Sequence, residues 1–128
     1  MKEQQNERIT VGVVGLGLIG GSMARAYTAA GHSVLAADTN EAALRAALDS
    51  GAVTGELDAK TVGRCDLVLL AVYPGVAIAR LRELAPHISA TTLVMDLCGT
   101  KRQVTSACFD IAAAHGFDYV GGHPMAGT

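Results

Sequence analysis

Aromatic residues are the scarcest class in this chain: tryptophan is absent, and tyrosine and phenylalanine together supply 4% of 128 residues. A core without large rings must be packed from Ala, Val, Leu and Ile, and half of the sequence is hydrophobic. An excess of one charge is also lacking. The formal net charge is only -2, which gives no electrostatic reason to expect nucleic acid or an anionic membrane as partner. Cysteine is sparse, and Cys65, Cys98 and Cys108 are odd in number with no C-x-x-C spacing. That argues against a disulfide framework and for a reducing, cytoplasmic setting. No His, Cys and carboxylate set has metal-ligand spacing, so no metal is expected. A G-x-S-x-G elbow is missing too, which leaves hydrolase chemistry without support.

A long hydrophobic run is the last absence. Ile9 to Ala24 carries no charge and follows Lys2 and Arg8, in the manner of a signal-peptide core. Gly17 and Gly21 even match a membrane dimerisation spacing. The run nevertheless falls short of the ~20 apolar residues that a spanning helix needs. It also contains Gly12, Gly15, Gly17, Gly20 and Gly21. A strand, a glycine turn and a helix start explain the same residues better.

What is present reads as one domain, long enough for a real core. Residues 1–8 form a polar, loose arm, and residues 9–128 alternate strands with helices. Strands are expected at Ile9–Val14, Ser33–Ala37, Leu67–Val72, Thr92–Asp96 and Asp118–Val120. Helices are expected from Leu18 to Ala30 and from Glu41 to Ser50, closed by Gly31 and Gly51. The first should bury Met23, Ala26, Tyr27 and Ala30. A third helix opens at Pro74 and ends near Leu84, where Pro86 blocks extension. A fourth runs from Lys101 to His115, with Val104, Cys108, Ile111 and His115 along one stripe. Residues 51–65 are ambiguous, a short strand and a short helix at most. Leu67–Val72 is apolar on both faces, as in a parallel sheet. The fold class is therefore α/β: a Rossmann-type, doubly wound, mainly parallel sheet with helices on both faces.

Gly15-Leu16-Gly17-Leu18-Ile19-Gly20 is G-x-G-x-x-G between a strand and a helix. Gly15 allows the tight turn, Gly17 admits a pyrophosphate, and Gly20 lets helix and strand pack closely. The helix start at Leu18 and Ile19 offers free N–H groups to phosphates. Asp38 ends the second strand, where it accepts hydrogen bonds from ribose hydroxyls and repels a 2′-phosphate, favouring NAD over NADP. Its alternative role is to cap the next helix, a task Thr39 and Asn40 can take instead. Arg45 lies too far along that helix to clamp a phosphate. Val72, Tyr73 and Pro74 leave the end of a central strand, where ligands bind in such sheets. Tyr73 either lines the nicotinamide side or is a half-buried turn residue.

Thr100 and Gln103 form a capping box, and Lys101 either meets an anionic substrate or stays solvated. Cys98 and Cys108 read as small buried apolar residues. His32 reads as a turn residue, His87 as a loop residue and His115 as the end of a helix. His123 differs from these. Pro124 biases it toward extended backbone, and the glycines around it permit close approach. That context suits a side chain presented to a ligand, with little sequence left to build the rest of its pocket.

Four segments together resemble the NAD-binding half of the prephenate and arogenate dehydrogenases. They are Gly15 to Ser22, Ala71-Val72-Tyr73-Pro74, Asp96 to Lys101, and His123-Pro124-Met125-Ala126-Gly127-Thr128. The glycine loop is shared with many dehydrogenases, whereas the His-Pro-Met-Ala-Gly ending is far more specific. The resemblance implies NAD as cofactor and prephenate or arogenate as substrate, bound by Thr100, Lys101 and His123. It implies that His123 takes the proton of the ring hydroxyl as the ring is oxidised and carbon dioxide leaves. Two departures follow. Gly99 stands where many relatives carry serine, so that contact is missing or is supplied by Thr100 or a water. Family members also continue into a helical domain that supplies a substrate arginine and most of a homodimer interface. The chain is then expected to bind NAD and to turn over prephenate poorly. Two other readings stay open: a stand-alone NAD-binding regulatory module, and a β-hydroxyacid dehydrogenase relative.

Overall fold

The computed structural model describes residues 7–97 and 102–121. Glu7 and Arg8, the described end of the expected arm, are irregular and lead into the first strand. Among the described residues six strands form one sheet: β1 Thr10–Val14, β2 Ser33–Ala37, β3 Gly55–Glu56, β4 Leu67–Leu70, β5 Leu93–Asp96 and β6 Asp118–Gly121. Their spatial order is β3-β2-β1-β4-β5-β6, and every neighbouring pair is parallel. Four helices connect them: α1 Leu18–Ala29, α2 Glu41–Ser50, α3 Pro74–Leu84 and α4 Arg102–His115.

Both faces of the sheet are covered, and the apolar runs show why. Along β4, Val68 and Leu70 pack with Ala77 and Leu81 of α3 and with Val104 and Cys108 of α4. Leu69 faces the other way, with Val11, Val13, Val34, Ala36 and Ala24 of α1. A strand buried on both sides needs uninterrupted aliphatic sequence. Aliphatic side chains fill most of both layers, and contrary to a core without rings, Phe117 and Tyr119 are buried in the α3/α4 layer.

Local chemistry sets most of the boundaries. The Asn40 side chain accepts from the N–H of Ala43 at 3.1 Å and caps α2. Gly51, with φ +83°, ends the same helix in the left-handed conformation that glycine adopts without strain. The ambiguous stretch contains the two-residue β3 and a 3-10 turn over Val62–Arg64.

Several expectations need correction. Ala26 and Ala30 are exposed, and α1 buries Gly20, Gly21 and Ala24, with Met23 and Tyr27 half-buried. The close approach of Gly20 to the preceding turn, rather than the bulkier side chains, orients this helix. His115 is exposed, and the buried stripe of α4 runs through Ile111 and Ala112 instead. β4 stops at Leu70, so Ala71 and Val72 belong to the turn that follows. Pro86 does not end helical structure outright: Ala85–His87 tightens into a 3-10 turn. His87 therefore sits in that turn and not in a loop.

Cys65 and Cys108 are buried free thiols, while Cys98 lies outside the described residues. A Cβ on Gly12 would come within 3.0 Å of the Cys65 sulfur. Burial pushes the Cys65 thiol up to about 11, opposed by the Arg64 cation and reinforced by Asp66. The unfolded chain releases this proton at its ordinary value of 9.0 and the folded chain only near 11. The contribution of Cys65 to stability is therefore expected to be constant below pH 9 and to fall as pH rises toward 11. Urea unfolding at pH 8 and pH 10.5 measures this. A Cys65→Ser variant whose midpoint shifts equally over that range would assign the loss to other groups.

Candidate functional site

The sheet order reverses between β1 and β4. From β1 the chain moves outward to β2 and β3, then returns to the other side of β1 as β4. Helices leaving β1 and β4 thus lie on opposite faces, and a crevice opens between the carboxyl ends of these two strands. Gly15 follows β1 and Ala71 follows β4, so both turns border the crevice.

Gly15 has φ +99°, and a Cβ there would sit 2.5 Å from the Ala71 carbonyl oxygen and from the Val72 side chain. A side chain is excluded by both conformation and space. A Cβ on Gly20 would lie 1.8 Å from the Gly15 carbonyl oxygen. Gly17 differs: its backbone is extended and none of the described residues lies within 4 Å of its would-be Cβ. Its lack of a side chain keeps space open at the start of α1. No side chain caps this helix, and no acidic residue occupies its first turn. Its free N–H donors and the positive end of its dipole are available to an anion.

Asp38 closes one end of the crevice. One carboxylate oxygen accepts from the N–H of Leu16 at 2.7 Å, the other from the N–H of Asn40 at 2.8 Å. Asp38 thereby ties the end of β2 to the glycine turn, and Asn40 carries out the capping. A carboxylate oxygen accepts more than one hydrogen bond, so ribose hydroxyls can still be received.

A cleft of about 510 Å³ joins these parts. Gly15, Gly17, Leu18 and Ile19 line it from the glycine loop, Asp38 from β2, and Val72, Tyr73 and Pro74 from the turn after β4. Of the expected cofactor set only Gly20 does not line the cleft; it is buried in the first turn of α1, against the Gly15 carbonyl. Tyr73 is 83% exposed on the rim, which corrects the half-buried alternative. Leu18 is 88% exposed beside the same opening. Pro74 occupies the first position of α3, where its missing N–H costs nothing. Thr39, Val76 and Leu97 also line the cleft. Sequence reasoning missed them, although Leu97 immediately follows a strand end.

Open space at Gly17, uncapped donors at α1 and a fixed carboxylate at Asp38 together fit a dinucleotide. Among the described residues no cluster of His, Cys, Asp and Glu could hold a metal ion. Thr100, Lys101 and His123 lie outside the described residues, as does the Thr100–Gln103 capping pair. The strands leading to them are described: Asp96, at the end of β5, is in register with Gly121, at the end of β6.

Residues 23–128 match the family described as prephenate dehydrogenase, nucleotide-binding domain. The chain belongs to that family. The matched region begins after the glycine loop, so the assignment is independent of the widely shared G-x-G-x-x-G. A prephenate dehydrogenase of Bacillus subtilis is 32% identical over 124 residues, covering 93% of this chain and 33% of that protein. The chain thus spans about a third of the curated relatives it matches. Among solved structures, Synechocystis arogenate dehydrogenase superposes with a TM-score of 0.81 at 26% identity, over 91% of this chain and 41% of its own. Prephenate dehydrogenase from A. aeolicus, in complex with hydroxyphenyl propionate and NAD+, gives a TM-score of 0.77 at 27% identity, over 94% and 43%. Family members of this kind are oxidoreductases, and the parallel, doubly wound fold expected from the sequence is the one observed.

Proposed function

We propose that this chain is the nucleotide-binding part of an NAD-dependent dehydrogenase that oxidises prephenate, or the closely related arogenate, with loss of carbon dioxide. The observation that carries the reading is the single cleft joining the glycine loop, Asp38 and the Val72–Pro74 turn. The A. aeolicus relative, described with NAD+, supports the choice of cofactor.

The free N–H groups at the start of α1 hold the pyrophosphate, with Gly17 leaving room for it. Asp38 receives the adenosine ribose hydroxyls, and its charge opposes a 2′-phosphate. Val72, Tyr73 and Pro74 border the nicotinamide side. Bound NAD supplies the electron acceptor for the substrate carbon. His123 takes the proton of the substrate's ring hydroxyl, since a neutral imidazole is a suitable acceptor near neutral pH. Thr100 and Lys101 help to hold the substrate. Aromatisation favours decarboxylation, so the protein mainly has to position substrate against cofactor. In the assembled enzyme a homodimer and a cytoplasmic location are part of the same proposal. Among the described residues no helix is long and apolar enough to cross a membrane.

Isothermal titration should show NAD binding about tenfold or more tighter than NADP, reflecting one charge repulsion. Equal or tighter NADP binding would reject the role given to Asp38. NADH absorbance on mixing chain, NAD and prephenate reports turnover. His123→Asn is expected to lower any such rate about 100-fold, because an amide cannot take the proton. An unchanged rate would remove His123 from the mechanism.

A further inference from the structure

Beyond the cleft, β5 and β6 share a buried polar cluster. Asp96 is fully buried, and the Tyr119 hydroxyl donates to its Oδ2 across 23 residues of sequence. Thr105 of α4 hydrogen-bonds the Tyr119 oxygen in turn. Burial and the Asp96 carboxylate push the Tyr119 hydroxyl far above its ordinary pKa, so it remains a donor. Phe109 packs against the Tyr119 ring in a T-shaped arrangement, with ring centroids 5.3 Å apart. Gly121 lies directly over the cluster: a Cβ there would be 3.3 Å from the Thr105 hydroxyl and 3.6 Å from the Asp96 carboxylate.

A buried carboxylate in an aliphatic core costs stability unless it is fully bonded, and three-layer packing does not require one here. Its place is informative. Asp96 is the last residue of β5 and Gly121 the last of β6, and the two are in register. Lys101 lies five residues beyond Asp96, and His123 only two beyond Gly121. Two residues of chain span at most about 7 Å, so His123 cannot lie further than that from the β6 end.

We propose that Asp96, Tyr119 and Thr105 are positioning residues, a buried latch that fixes the ends of β5 and β6 so that the segment carrying His123 starts from one defined place. The latch rests on the proposed role of His123 and adds the reason its placement holds. Each side chain acts at a distance from substrate. Tyr119 joins the two strands through its hydroxyl, and Thr105 braces that hydroxyl from α4. A displacement of about 1 Å at a reacting group is enough to cost a large factor in rate.

The test is nuclear magnetic resonance of the whole chain saturated with NAD, comparing Tyr119→Phe with the unaltered protein. The amide signals of Leu97 and Gly121 and the ring signals of His123 should move, the latter toward random-coil positions. The signals of Gly15 to Gly20 should stay in place, because β1 lies two strands from β5 and three from β6. Thr105→Val is read in the same way should Tyr119→Phe not fold. A lowered melting temperature with unmoved His123 signals would overturn the proposal and leave the cluster a packing feature. Random-coil His123 signals in the unaltered complex would overturn it equally. Failure of the proposed function looks different: His123→Asn would leave turnover unchanged while Tyr119→Phe still moved the His123 signals.

Discussion

Gly20→Ala is expected to abolish measurable NAD binding and to lower the thermal midpoint by roughly 10 °C. The added Cβ would lie 1.8 Å from the Gly15 carbonyl oxygen, 2.9 Å from its carbon and 3.1 Å from the Ala71 side chain. Two of these three atoms are backbone in a turn that is itself held. Gly15 donates to the Ala37 carbonyl at 2.8 Å, and the next N–H is bonded to Asp38. No flexible side chain can yield, so α1 must move off the sheet. Alanine favours a helix over glycine by about 1 kcal/mol. Overpacking costs about 3 kcal/mol here and wins. Gly17→Ala is the control: with none of the described residues within 4 Å, it should change stability by no more than ~0.5 kcal/mol while still obstructing the phosphates. Calorimetry and NAD titration on both variants separate the two glycines. A Gly20→Ala protein melting within a degree or two of the parent would refute the packing argument.

Asp38→Ala is expected to weaken NAD binding about 100-fold without creating affinity for NADP. Removal of a charge that repels a 2′-phosphate would by itself favour NADP. Here the same carboxylate also receives the N–H groups of Leu16 and Asn40. Hydrogen bonds to a charged acceptor contribute about 1.5–3 kcal/mol each, and both are lost together with the ribose contacts. The glycine turn then loses one of its ties to β2, and either cofactor meets a loosened loop. Titration with both nucleotides checks this directly. A variant that bound NADP as tightly as the parent bound NAD would show that Asp38 only selects and does not support the loop.

The strands and the glycine loop were legible because their signals are local. Short apolar runs marked β1, β2 and β5 almost to the residue, and Asn40 and Gly51 marked both ends of α2. Spacing alone placed Gly15, Asp38 and Tyr73 in one crevice, since strand ends in a parallel α/β sheet converge. Faces of helices were less legible. Ala26 and His115 satisfy a helical period yet point outward, because Gly20 lets α1 approach by its glycine side and Ala112 continues the α4 stripe. The exposure of Tyr73 depends on which neighbours cover the rim, and no sequence period encodes that.

By itself the sequence determined the class of fold, and it marked the glycine loop after β1 and the acidic residue after β2 as the proposed cofactor contacts. These are set by backbone conformation and burial pattern within a few residues, and local chemistry decides them. The tertiary structure alone decided that Asp38 also clamps Leu16, that Gly20 governs the seating of α1, and that Asp96 meets Tyr119 beneath Gly121. Each of these joins residues from separate elements. Only sheet order and register bring such residues within hydrogen-bonding or van der Waals distance.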